Sequence, residues 1–76
     1  MTEYNGHKNW NHWNVSLWIN NDEKLYAIAR YWTKRRTRPV ATQMILYELQ
    51  SNKITHTPDG APYSLSSIRA ALVGIE

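Results

Sequence analysis

Apolar residues recur along most of this chain at spacings of three and four rather than two, a period that predicts helices. Trp10, Trp13 and Leu17 form one stripe at i, i+3 and i+7. Val15, Trp18 and Ile19 form a second, leaving a narrow polar strip of Asn9, His12 and Ser16. A short first helix therefore runs to about Ile19. Asn9 or Asn11 can cap it, because an Asn side chain accepts a bond from an otherwise orphan N–H, and Asn5-Gly6 ahead of it is a turn signal. A helix apolar on most sides is expected at the centre of its domain. Asn20-Asn21-Asp22-Glu23 closes this helix and opens the next, with Asn21 or Asp22 as cap. The second helix is expected from about Asp22 to Arg36. Leu25, Ile28, Ala29 and Trp32 form its core stripe, and acids at its start with bases at its end match the macrodipole.

Pro39 prevents smooth continuation and is suited to open a third helix after a corner at Thr37–Pro39. Val40, Met44 and Tyr47 mark one face of that helix, and Ile45, Leu46 and Leu49 mark others, more apolar surface than one neighbour requires. From Asn52 to Tyr63 the chain turns polar, and Thr57-Pro58-Asp59-Gly60 reads as a tight turn. Ser64 or Ser66 can cap a last helix with Leu65, Ile68, Leu72 and Ile75 on one side and Gly74 near its end. The expected fold class is mainly α: one small domain over residues 1–76, a bundle of about four short helices with an irregular loop or short hairpin before the last.

At 76 residues a single core is only marginally stable, and self-association or a partner often contributes. The aromatics sharpen this picture, since three of the four tryptophans fall in the first quarter of the chain. Trp10, Trp13 and Trp32, at helical spacing, are expected in the core. Trp18 lies off the principal stripe and is expected to be partly exposed, as an anchor for a partner. Tyr4, Tyr26 and Tyr63 could close the core with their hydroxyls in water. There is no cysteine, which fits a reducing interior and leaves no thiolate chemistry. No run approaches the roughly 18 apolar residues of a spanning helix, and the start lacks a signal-peptide pattern, so a soluble, cytoplasmic protein is expected.

Catalytic groups are sparse: three histidines and six carboxylates. His7 and His12 are five apart, neither a helical pair nor part of a zinc-type set, so no metal site is expected. Asp22 and Glu23 sit where caps and dipole partners belong. The three glycines, at 6, 60 and 74, are isolated and build no phosphate loop. The reading is of a non-enzyme with no catalytic residue and no cofactor. Charge is more informative. The net value is +3, yet Arg30, Lys34, Arg35, Arg36 and Arg38 exceed it by themselves, so the rest of the chain is net acidic. Where the helical geometry persists that far, Arg30, Lys34 and Arg38 continue at i, i+4 and i+8 opposite the core stripe, with Tyr31 and Arg35 close by. Such a face can neutralise phosphates and stack on bases, dock on an acidic protein surface, or simply keep a helix end solvated.

Tyr4-Asn5-Gly6, then Asn9, Trp13, Val15, Leu17-Trp18 and Asn20-Asn21-Asp22-Glu23 with Leu25-Tyr26, resembles the N-terminal motif of a family of very short, largely uncharacterised proteins encoded by phages and other bacterial mobile elements. The Thr57-Pro58-Asp59-Gly60 turn is also similar to that family. His7 and Asn11-His12 depart from it, where Trp and Glu-Thr are usual. The resemblance implies a small accessory protein acting inside an infected bacterium, and in size, charge and lack of catalytic groups the chain looks most like anti-CRISPR proteins. The expected function is that of a non-enzymatic binding module that inhibits a bacterial nucleic-acid-directed defence complex, through Arg30, Tyr31, Lys34, Arg35, Arg36, Arg38 and Trp18. The alternatives are a small nucleic-acid-binding or regulatory protein using the same face, and a dimerising structural module.

Overall fold

The computed structural model describes residues 8–75; Asn5-Gly6, Tyr4 and His7 lie outside them. The chain is mainly α, with four helices in the order α1 Trp10–Asn21, α2 Glu23–Arg35, α3 Arg38–Ser51 and α4 Leu65–Leu72, and no strand among the described residues. Each junction follows from local chemistry. Asn9 caps α1, its side chain accepting from the His12 N–H at 3.0 Å. A single residue joins α1 to α2: Asp22 holds extended angles, donates its N–H to the Trp18 carbonyl at 2.9 Å and accepts from the Leu25 N–H at 3.0 Å. Arg36 and Thr37, both extended, make the corner before α3, where Pro39 occupies a first-turn position that needs no N–H. Ser64 caps α4 in a reciprocal box with Ser67, a serine standing where Glu or Gln is usual.

Between α3 and α4 the chain forms a minimal hairpin. Lys53 sits at φ 61 and ends α3, with Ile54 N–H reaching the Leu49 carbonyl and Lys53 N–H the Gln50 carbonyl, both at 2.9 Å; this is a Schellman arrangement with lysine where glycine is favoured. His56 and Pro62 then form an isolated antiparallel bridge. The expected turn is present, with Gly60 N–H bonded to the Thr57 carbonyl at 2.9 Å and Gly60 at φ 97, as in three-residue hairpin loops.

The core differs from the tryptophan-built one that the spacing predicts. It consists of Val15 and Ile19 of α1, Ala29 of α2, Ala41, Ile45 and Leu49 of α3, Ala61 and Tyr63, and Ile68, Ala71 and Leu72 of α4. Trp10 is 37% exposed, Trp13 is half-buried, and Trp32 packs only on the core's edge. The centre is instead occupied by buried alanines at 29, 41, 61 and 71 together with the aliphatic side chains of Val15, Ile19, Ile45, Leu49, Ile68 and Leu72. Polar Asn14 takes a buried place beside Val15 on α1, so Leu17 turns outward. On α3 the inward face is Ala41, Thr42, Ile45 and Leu49, which leaves Val40 and Tyr47 in solvent. On α4, Ile68 and Leu72 are buried as expected, but Leu65 is 49% exposed. The α2 stripe is as predicted, with Ala29 buried and Leu25, Ile28 and Trp32 packed against the core.

Candidate functional site

Five of the seven candidate residues end α2 or border it, and Arg38 opens α3. Lys34, Arg35, Arg36 and Tyr31 are exposed, while Arg30 and Arg38 are half-buried. Helical spacing sets the local pairs. The Arg35 guanidinium lies 3.9 Å over the Tyr31 ring and donates to the Tyr31 carbonyl at 3.0 Å, a cation–π contact that fixes both side chains. One turn earlier Arg30 donates to the Tyr26 hydroxyl at 3.2 Å and sits 5.8 Å from its ring. Arg36 donates to the Arg35 carbonyl at 2.8 Å. Tyr31 meets Trp32 edge-on at 5.0 Å, and the Trp32 indole N–H is held by Glu48 of α3 at 3.0 Å. The basic end is therefore braced on its aromatic side by a bond between two helices.

Trp18 belongs to another region. It lines a cleft of ≈ 320 Å³ with Asp22, Leu25, Ile54, His56 and Tyr63, beside the first turn of α2 and about 15 Å along that helix from Lys34 at 1.5 Å per residue. It is half-buried, as expected. Its indole N–H donates to Asp59 Oδ2 at 2.9 Å, and the Asn14 amide donates to the same oxygen at 2.9 Å. Asn14 Oδ1 in turn accepts from the Thr57 hydroxyl at 2.6 Å, and that hydroxyl accepts from the Ala61 N–H at 3.0 Å. The bonds from Asn14 and then from Trp18 hold the Asp59 carboxyl below its ordinary pKa. Burial first, and the nearby Asp22 charge second, push the Tyr63 hydroxyl above its own.

The sequence pattern does not show this network, since Thr57-Pro58-Asp59-Gly60 reads as a turn and Asn14 carries no periodic or motif signal. The available signal was an asparagine in the middle of an otherwise apolar helix, which must find a buried partner. Its effect is to tie the Trp-rich segment of α1 to the distant turn, which gives Asn14, Trp18, Thr57 and Asp59 a structural role in the fold. Among the described residues, no group of three or more His, Cys, Asp or Glu could hold a metal ion, and no helix is long and apolar enough to cross a membrane. His12 Nε2 instead lies 2.7 Å from the Ser66 hydroxyl, between α1 and α4.

Residues 1–73 match a family of unknown function, DUF7249. The chain belongs to that family. No curated protein and no solved structure matches it.

Proposed function

We propose that this chain is a non-enzymatic accessory protein that binds and inhibits a bacterial nucleic-acid-directed defence complex, in the manner of anti-CRISPR proteins, acting in the cytoplasm of an infected host. The working surface is the basic end formed by the close of α2 and the opening of α3. One observation carries the reading: among the described residues, Arg30, Arg35 and Arg36 donate to a tyrosine hydroxyl or to main-chain carbonyls, bonds that leave their charge unneutralised. Stacking of Arg35 on Tyr31 pre-organises the side chains and lowers the ordering cost of docking. Trp18, held by Asp59 at the other end of α2, is left out of this surface.

Titrating the protein into a purified RNA-guided interference complex tests the reading. Association with loss of target-DNA binding is expected, and neither should survive Lys34→Gln, Arg35→Gln and Arg36→Gln combined in a folded variant. No association with the complex, or full inhibition by the triple variant, would refute it.

Direct nucleic-acid binding is the second reading, favoured by the exposed Arg35–Tyr31 pair, which offers charge and a stacking face together. The two separate by salt. Affinity for an oligonucleotide falls steeply with ionic strength through counterion release, whereas a protein interface with aromatic anchors depends on salt less.

A further inference from the structure

A groove of ≈ 580 Å³ lies between the first turns of α3 and the outer side of α4. Pro39, Thr42 and Gln43 form one wall, and Leu65, Arg69 and Val73 form the other. The last three stand at i, i+4 and i+8, an outward stripe about 12 Å long. Leu65 is 49% exposed and Val73 60%, so both apolar ends of the stripe are open to a partner. No carboxylate lines the groove among the described residues, and Arg69 projects at its middle.

The groove also runs into the basic end. Pro39 directly follows Arg36-Thr37-Arg38 in the chain, and the first turn of α3 holds no acidic residue and receives no side-chain cap bond from Thr37. At the other wall, Val73 is two residues from Ile75, which shares a hollow with Arg30, Thr33 and Lys34. An apolar trough is therefore surrounded by positive charge at its middle and at one end.

We propose that this groove seats a short amphipathic helix from an acidic protein partner. Two or three apolar side chains at i, i+3 or i+4 and i+7 settle between Pro39, Leu65 and Val73, and flanking Glu or Asp residues meet Arg69 and Arg36. Helix-in-groove recognition uses this spacing, and the charge selects an acidic helix over a basic one. The inference rests on the basic end being the working surface and adds the chemical class of the partner.

Nuclear magnetic resonance of the full chain tests it with two designed peptides that share one leucine stripe, one flanked by glutamates and the other by lysines. The glutamate peptide should shift the Thr42, Gln43, Leu65, Arg69 and Val73 amides, bind at least tenfold more tightly than the lysine peptide, and lose at least tenfold on Arg69→Glu or on Leu65→Ser with Val73→Ser. These positions are exposed, so the variants should retain the wild-type spectrum elsewhere. Equal binding of both peptides, no shift at these amides at millimolar peptide, or a DNA duplex shifting them where the glutamate peptide does not, would overturn the proposal. Its failure is separable from that of the inhibitor reading. A groove indifferent to the peptide, in a protein whose Lys34, Arg35 and Arg36 are still needed to bind the interference complex, removes the groove alone. A groove that takes the peptide in a protein that ignores the complex removes the inhibitor reading alone.

Discussion

Asn14 shows how one residue can decide the orientation of a helix. It is 2% exposed in a segment rich in tryptophan, and it both accepts from Thr57 and donates to Asp59. Burying an amide is tolerable only when its bonds are made; once made, they turn Asn14, Val15 and Ile19 inward. Asn14→Ala should cost about 1–3 kcal/mol by leaving the buried Thr57 hydroxyl without an acceptor, measured by urea denaturation; an unchanged midpoint would show that the network contributes nothing. Asp59 adds a pH dependence with a definite sign. Its folded pKa is depressed below 3.8, so its contribution is fully present above the unfolded value and is lost as pH falls through the folded one. Wild-type melting temperature should therefore fall more than that of Asp59→Asn as pH drops below about 4, the ordinary Asp range. Parallel curves from neutral to acid pH would exclude the linkage.

Among the elements, α2 was legible in the sequence because its apolar residues occupy one stripe and its charges follow the dipole. The orientations of α1 and α3 were not. Both carry apolar groups on several sides, so periodicity does not say which side faces in, and the buried Ala41 of α3 is too small a side chain to mark a stripe. The consequence is measurable. Ile45→Ala, at a position 2% exposed, should cost about 2–5 kcal/mol, whereas Trp10→Ala, at a position 37% exposed, should cost less despite the larger deletion, because much of that indole stays in water. The reverse order in chemical denaturation would restore the tryptophan core. Turn and cap chemistry was legible at Asp22, Pro39 and Gly60, but not at Lys53, where φ 61 is imposed by the closing bonds of α3. Lys53→Gly relieves that angle and should stabilise by about 1 kcal/mol; a lower melting temperature would show that the lysine is not strained there.

For the molecule as a whole, the sequence located the basic cluster but not its company. Helical spacing predicts Arg30, Lys34 and Arg38 on one side of α2 with Tyr31 and Arg35 close by, but α2 ends at Arg35 because Arg36 and Thr37 are extended, so Arg38 opens α3 instead; the fold brings the start of α3 and the residues after α4 to the same end. That convergence depends on α4, where the periodic pattern puts Leu65 on the side of Ile68 and Leu72 but the fold leaves it outward with Val73. Trp18 illustrates the opposite limit: its expected partial exposure is present, yet the fold commits its N–H to Asp59 and places it beside Lys24 at the start of α2, away from the basic end. The central claim is that the basic end captures a protein rather than nucleic acid. Its most direct test is capture of purified interference complex by immobilised wild-type protein and by the Lys34→Gln/Arg35→Gln/Arg36→Gln variant, each after exhaustive nuclease treatment of accessible nucleic acid. The account predicts that wild type retains the complex and that the folded variant loses at least tenfold in affinity. Retention that disappears with the nucleic acid, or is equal for the two proteins, would contradict it.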